Sequence, residues 1–255
     1  MKRSPLSLGI TIGVLIFLYV PILLLIVSSF NDSRFGGEWM GFTFKWYERL
    51  WNEHKMWQAL RNSLIVGISA TIASTILGTC AAFALHFYKT GLQRIHYSLI
   101  YTPLVIPDIL TGISLLLFFI SLNAHLGLFT VFIAHTTFCL SYVTMVMLSK
   151  LQNFDFRLIE AAQDLGANTW ILTRRVLLPL LAPGLMAGGL LAFMLSIDDF
   201  VITFFVAGQG ASTLPVYVYS MIKFGSTPIV NALSVLILGI TFILIILTQR
   251  LTKED

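Results

Sequence analysis

The stretch EAAQDLGANTWILTRRVLLP, Glu160–Pro179, decides the reading of this chain. It is polar and helix-forming, yet it lies between two long apolar runs. Its pattern is Glu160, Ala161 and Ala162, three residues, Gly166, nine residues, then Val176, one residue, Leu178 and Pro179. Phe154, Leu158, Ala161, Ala162 and Leu165 recur at helical spacing, which predicts a helix with one apolar stripe, while Arg157, Gln163 and Asp164 fall elsewhere. Asn153 or Asp155 is placed to cap its start, and Gly166 is the residue type expected in a left-handed conformation just past its end. Asn168 and Thr169 are placed to cap a second short helix, which carries Arg174 and Arg175 towards the next apolar run. The paired alanines keep one face low, so another protein can approach closely. Amphipathic loop helices also lie on lipid surfaces, and periodicity alone does not choose between the two roles.

Outward from this segment the chain is apolar. Of its 255 residues, 57% are hydrophobic and 11% charged, and its mean hydropathy is +0.86. Soluble domains carry about a quarter charged residues, so the expectation is an all-α integral membrane protein forming a single domain over residues 1–255. Six apolar runs are long enough for a hydrocarbon core that needs about 20 helical residues. They are Leu8–Phe30, Ser63–Tyr88, Tyr97–Leu122, Gly127–Ser149, Leu180–Val206 and Ile229–Leu247, with a loop over about 150–179. With the amino terminus inside, the inner segments hold Lys2, Arg3, Lys89, Arg94, Lys150, Arg157, Arg174, Arg175, Arg250 and Lys253. The outer segments hold Arg34, Lys45, Arg49, Lys55, Arg61 and Lys223. The excess of inner basic residues predicts six transmembrane helices with both termini cytoplasmic, and puts Glu160–Pro179 on the cytoplasmic side. Met1-Lys2-Arg3 precedes an apolar stretch longer than a signal-peptide core, so an uncleaved first span is expected. The net charge of +4 follows from this loop bias; it points to a lipid setting and to no nucleic-acid partner.

Acids inside the apolar runs are costly and tend to mark pathways. Asp108 lies about 16 Å into the third run at 1.5 Å per residue, which predicts a position near mid-membrane. Pro103 and Pro107 precede it, and each removes a backbone hydrogen bond to the carbonyl four residues back, at Leu99 and Pro103. A carboxylate beside freed carbonyls suits a cation; pairing with a neighbouring helix is the structural alternative. Asp198 and Asp199 stand together in MLSIDDFVITFF, towards the outer half of the fifth run. Adjacent helical residues point about 100° apart, so one of the two is expected to face a given cavity, with Ser196 nearby on another side. The alternative is a helix end whose acids meet water.

The first outer loop is rich in Trp39, Trp46, Tyr47, Trp51 and Trp57. Such residues anchor at membrane interfaces, and Trp46 is in addition a candidate contact for a cation at an outer mouth. Cys80 and Cys139 fall inside apolar runs and read as small packing residues, with no Cys/His metal spacing. His54, His86, His96, His125 and His135 are scattered, and no catalytic pairing of histidine with acid or serine is legible. No Walker-type phosphate loop is present, so no catalytic residue, metal or cofactor is expected in this chain.

The pattern in Glu160–Pro179 closely resembles the EAA motif of ABC importer permeases, Glu-Ala-Ala, x3, Gly, x9, Ile, x, Leu-Pro, with Val176 in place of Ile as the one departure. SSFNDSRFG, FTFKWY, HTTFCLSYV and LSIDDFVITFFVAG look like the permeases of spermidine/putrescine importers of the PotC type, so the resemblance spans essentially the whole chain. It implies the type I ABC importer permease fold in the bacterial inner membrane and a second homologous permease chain. It also implies two ATPase subunits docked through Glu160, Ala161, Ala162, Gly166, Val176, Leu178 and Pro179, and a periplasmic polyamine-binding protein. Asp108, Asp198, Asp199, Ser196 and Trp46 are the candidate substrate-pathway residues.

Spaced acids with apolar wall between them suit a flexible chain bearing several ammonium groups. A route for sulfate or molybdate should instead use Arg, Lys or helix amino termini. Two alternatives remain: an ABC permease for another small solute, and a secondary cation transporter, which also uses broken helices and intramembrane acids. The secondary transporter usually carries inverted repeats and has no need of a docking helix pair. A membrane protease would need a nucleophile and base, and neither Gly-x-Ser-x-Gly nor His-Glu-x-x-His occurs.

Overall fold

The computed structural model describes residues 5–33, 38–88, 91–152, 154, 155, 157–225 and 227–251. Of the residues invoked above, Met1, Lys2, Arg3, Arg34, Lys89, Asn153 and Lys253 lie outside them. Every named element is helical: α1 (Pro5–Ser29), α2 (Lys45–Trp51), α3 (His54–Phe87), α4 (Gln93–Val105), α5 (Asp108–Ser121), α6 (Leu128–Gln152), α7 (Arg157–Asp164) and α8 (Thr169–Leu172). A π-helical turn, Thr173–Leu177, leads into α9 (Leu178–Asp198), followed by α10 (Val201–Val206), α11 (Leu214–Lys223) and α12 (Thr227–Leu251). Among the described residues one isolated antiparallel bridge, Asn31 with Phe42, is the sole strand-like pairing.

Each of the six apolar runs falls on helix, but the six uninterrupted spans do not. Leu8–Ser29, His54–Phe87, Leu128–Gln152 and Thr169–Asp198 are long and apolar enough to cross a membrane. The third run is α4 and α5, bent by 112° at their junction, whereas the sixth lies within the 25-residue α12. The fifth run ends its long helix at Asp198 and resumes in the six-residue α10. Pro107 explains the first break. The ring disfavours helical geometry at the preceding residue, and Ile106 is accordingly extended at ψ 132°. Asp108 follows the bend directly, so the straight-helix reckoning from Tyr97 covers α4 only as far as Val105.

The chain forms two compact units, residues 1–57 with 217–255, and residues 58–216. In the first, α1 packs on α12, and so does α2. Its loop is built round Asn31, whose Oδ1 accepts the N–H of Ser33 and of Met40 and whose Nδ2 donates to the Glu38 carbonyl. Phe30 stacks on Phe42 at 5.2 Å, and the Ser29 hydroxyl meets the Tyr47 hydroxyl at 2.7 Å.

The second unit is centred on α6, which buries Val131, Ala134, Cys139, Val143, Met147 and Leu151 completely. Its main partner is α9, which turns Gly184, Gly188, Ala192 and Ser196 inward at every fourth residue. Small residues one turn apart form a shallow groove, the usual means of close helix packing in lipid. Gly78 of α3 also faces Val143, and Gly67 faces Ile197. These positions in the second run therefore pack within the chain. Cys80 and Cys139 are unbonded thiols.

Candidate functional site

Both helix breaks carry acids. At the α4–α5 break the Pro107 carbonyl accepts the N–H groups of Leu110 and Thr111 at 2.9 and 3.2 Å, starting α5 afresh. Asp108 is its first residue. Negative charge is stabilised there by the N–H groups left open at a helix start.

At the second break Asp199 leaves the helix, with φ −64° and ψ 122°. Its Oδ1 accepts the Ile202 N–H at 3.2 Å, and its Oδ2 accepts the N–H and the hydroxyl of Thr203 at 2.8 and 2.7 Å. From the position before Phe200, the Asp199 side chain thus caps the open N–H groups of the first turn of α10. Its side chain is 8% exposed, and His135 Nε2 lies 3.2 Å from Oδ2.

His135, fully buried on α6, completes this network. Its Nε2 meets the Thr203 hydroxyl at 2.8 Å, and its Nδ1 meets the Ser196 hydroxyl at 2.7 Å. Because the Thr203 hydroxyl donates to Asp199, it has only lone pairs for His135, so Nε2 carries the hydrogen. This pairing of a histidine with a serine and an acid was not visible in the sequence. Its partners lie 61 and 68 residues away in the chain, so no local spacing reveals them. The one local sign was a histidine in the middle of an apolar run. The trio does not make a hydrolase: Ser196 is 4% exposed, and Asp199 is already occupied as a helix cap. It clamps α6 to both sides of the break.

The two breaks open on one cavity of about 670 Å³. Asp108, Asp198 and Asp199 all line it, with Phe138, Tyr142, Phe193 and Phe200 among the aromatic wall and Pro103 at one side. No lysine or arginine is among the lining residues. Asp108 and Asp198 are exposed to it, and among the described residues neither has a hydrogen-bond or ion-pair partner. Ser196 does not line the cavity; its hydroxyl turns to His135. Trp46 belongs to the first unit, 3% exposed. Its indole N–H donates to the Asn31 carbonyl at 2.7 Å, and Lys45 and Arg49 already lie over its ring at 4.7 and 5.1 Å.

The opening stretch forms a second candidate surface. Asp155 accepts the Arg157 N–H at 3.1 Å at the start of α7. At its end Gly166 adopts φ +81°. The Ala167 N–H returns to the Ala162 carbonyl and the Gly166 N–H to Gln163, the paired bonds of a Schellman ending. Asn168 Oδ1 accepts the Ile171 N–H at 2.9 Å and caps α8. Glu160 and Ala161 are exposed, Ala162 half-buried, and Leu165 stands 89% exposed. Val176 lies half-buried in the π-helical turn, whereas Leu178 and Pro179 are exposed at the start of α9. The second half of this stretch is therefore continuous with a membrane-length helix.

The chain thus combines broken helices with a capped, amphipathic loop helix, and residues 74–253 match the family described as "Binding-protein-dependent transport system inner membrane component". The chain belongs to that family and is a multi-pass membrane protein. Within it the chain belongs with the PotC-type permeases. It is 39% identical over 246 residues to the spermidine/putrescine transport system permease protein PotC of Escherichia coli K12, covering 96% of this chain and 93% of that protein. It is 41% identical over 244 residues to the putrescine transport system permease protein PotI of the same strain, covering 93% and 87%. Among solved structures, a bacterial ABC transporter involved in import of the acidic polysaccharide alginate matches with TM-score 0.77 at 18% identity, over 98% of both chains. That likeness is one of fold. The relatives are permease subunits, transport components and not enzymes.

Proposed function

We propose that this chain is a permease subunit of an ATP-driven importer of polyamines in the bacterial inner membrane, and that Asp108, Asp198 and Asp199 line its substrate route. The observation that carries the reading is the convergence of three carboxylates, from two separate helix breaks, on one cavity with aromatic and aliphatic walls and no basic lining residue. The names of the relatives support the substrate class. A polyammonium chain entering such a cavity loses part of its hydration. Each carboxylate at about 4 Å returns about 4 kcal/mol at an effective dielectric of 20, and about 1 kcal/mol where water remains. Charges spaced along the route hold the chain without one deep well, which lets it leave. The methylenes between ammonium groups lie against the apolar wall.

The energy comes from elsewhere. Two ATPase subunits, holding ATP and magnesium, dock on Glu160–Pro179, a second homologous permease chain completes the pathway, and a periplasmic polyamine-binding protein delivers substrate. The exposed α7 face with its two alanines supports the docking role. The test is uptake of radiolabelled spermidine and putrescine by the complete transporter in proteoliposomes. Asp108→Asn, and at least one of Asp198→Asn and Asp199→Asn, should reduce uptake while the ATPase still co-purifies. Wild-type uptake by all three variants and by their triple combination would make these acids structural and remove the cation route.

A further inference from the structure

The three cavity carboxylates are not equivalent. Asp108 and Asp198 are exposed and without partners among the described residues. Asp199 is nearly enclosed, and its Oδ2 is shared by the Thr203 N–H, the Thr203 hydroxyl and His135 Nε2. A carboxylate oxygen that accepts two hydrogens and has a third N–H 3.2 Å away has little capacity left for an ammonium group. The partner that decides this comes from α6, whereas Asp199 and Thr203 flank the start of α10.

From this we infer that His135 is a positioning residue that acts through Asp199. Its Nε2–H, together with the Thr203 hydroxyl, fixes Asp199 as the cap of α10. The α9–α10 break then holds Asp198 in the cavity, and Asp108 and Asp198 are the carboxylates that meet the substrate. The inference rests on the cation route proposed above and divides its labour. His135 touches no substrate: it does not line the cavity, and both its ring nitrogens are engaged within the protein.

Two amides separate the roles of the ring nitrogens. A glutamine side chain places its N–H₂ near the position of Nε2, and an asparagine places its own near Nδ1. His135→Gln therefore keeps the donor towards Thr203 and Asp199 and gives up the contact with Ser196, while His135→Asn does the reverse. The complete transporter in proteoliposomes, supplied with binding protein and labelled spermidine, reports molecules imported per ATP hydrolysed. His135→Gln should stay within about twofold of wild type, and His135→Asn should fall by about tenfold or more, the scale of a lost hydrogen bond to a buried charge. In an Asp199→Asn background the difference between the two should vanish, because coupled residues do not add.

Thr203→Val supplies an independent arm if His135→Asn fails to assemble with the ATPase. It keeps the shape of the side chain and removes the hydroxyl that joins His135 to Asp199. It should lower import per ATP in the wild-type background and change nothing further in Asp199→Asn. Equal behaviour of the Gln and Asn variants, or a Thr203→Val effect that persists undiminished beside Asp199→Asn, overturns the positioning role. A wild-type transporter that imports no polyamine overturns the cation route instead, so the two failures are told apart.

Discussion

Gly78 of α3 and Val143 of α6 meet so closely that a Cβ on Gly78 would lie 2.9 Å from both Cβ and Cγ1 of Val143 and 3.0 Å from the Leu140 carbonyl oxygen. A β-branched residue and a main-chain oxygen have little room to yield, so the crossing depends on the missing side chain. Gly78→Val should destabilise the purified chain by about 1–3 kcal/mol, the usual cost of overpacking a tight contact. Gly208→Ala should be at least as damaging, because its Cβ would run into the backbone carbonyl of Leu126. Gly239, with nothing within 4 Å, is the control. Thermal unfolding in detergent reads all three.

Asp198 and Asp199 should separate in stability as they separate in geometry. Asp199→Asn replaces a charge-assisted cap and leaves His135 with a poorer acceptor, at a cost of about 1–3 kcal/mol. Asp198→Asn changes an exposed carboxylate with no partner among the described residues and should leave unfolding unchanged. Matched melting curves for the two variants would be the contrary outcome.

The Glu160–Pro179 stretch depends on two local devices. Gly166→Ala puts a side chain on a residue at φ +81° and should cost about 1–2 kcal/mol locally. Asn168→Ala removes the cap of α8, about 1 kcal/mol. Amide exchange over Leu165–Thr173 should quicken in both, while exchange in α6 stays slow. Gly166→Pro or a bulky residue at Ala162 should abolish transport and uncouple ATP hydrolysis without preventing membrane insertion.

Trp46→Phe keeps an aromatic face but deletes the N–H that satisfies the Asn31 carbonyl. If the ring's task is to hold its own loop, the variant should lose about 1–2 kcal/mol and retain uptake once assembled. Loss of uptake at full assembly would instead return Trp46 to the substrate route.

Much of the docking segment was legible from the chain because its determinants are local. Gly166 at positive φ, Asn168 as a cap and the apolar stripe of α7 each depend on residues within four or five positions, and turn and cap chemistry acts at that range. The all-helical membrane class was equally legible, since it follows from composition and run length alone. The 112° bend at Pro107 was only half legible. Proline announces a break, but its angle depends on what the two arms pack against.

What Glu160–Pro179 and the apolar runs determined by themselves was thus the class of protein, the motif and the presence of intramembrane acids. Tertiary structure alone decided which acid is free. His135 reaches Ser196 and Asp199 across more than sixty residues because α6 and α9 close on a groove of Gly184, Gly188 and Ala192. Hydrogen bonds between distant segments depend on where packed helices put their side chains, and no periodicity within one segment encodes that. The same closure gathers Asp108 and Asp198 from separate breaks onto a single cavity. Two carboxylates ninety positions apart come to line one cavity through the fold, not through their spacing.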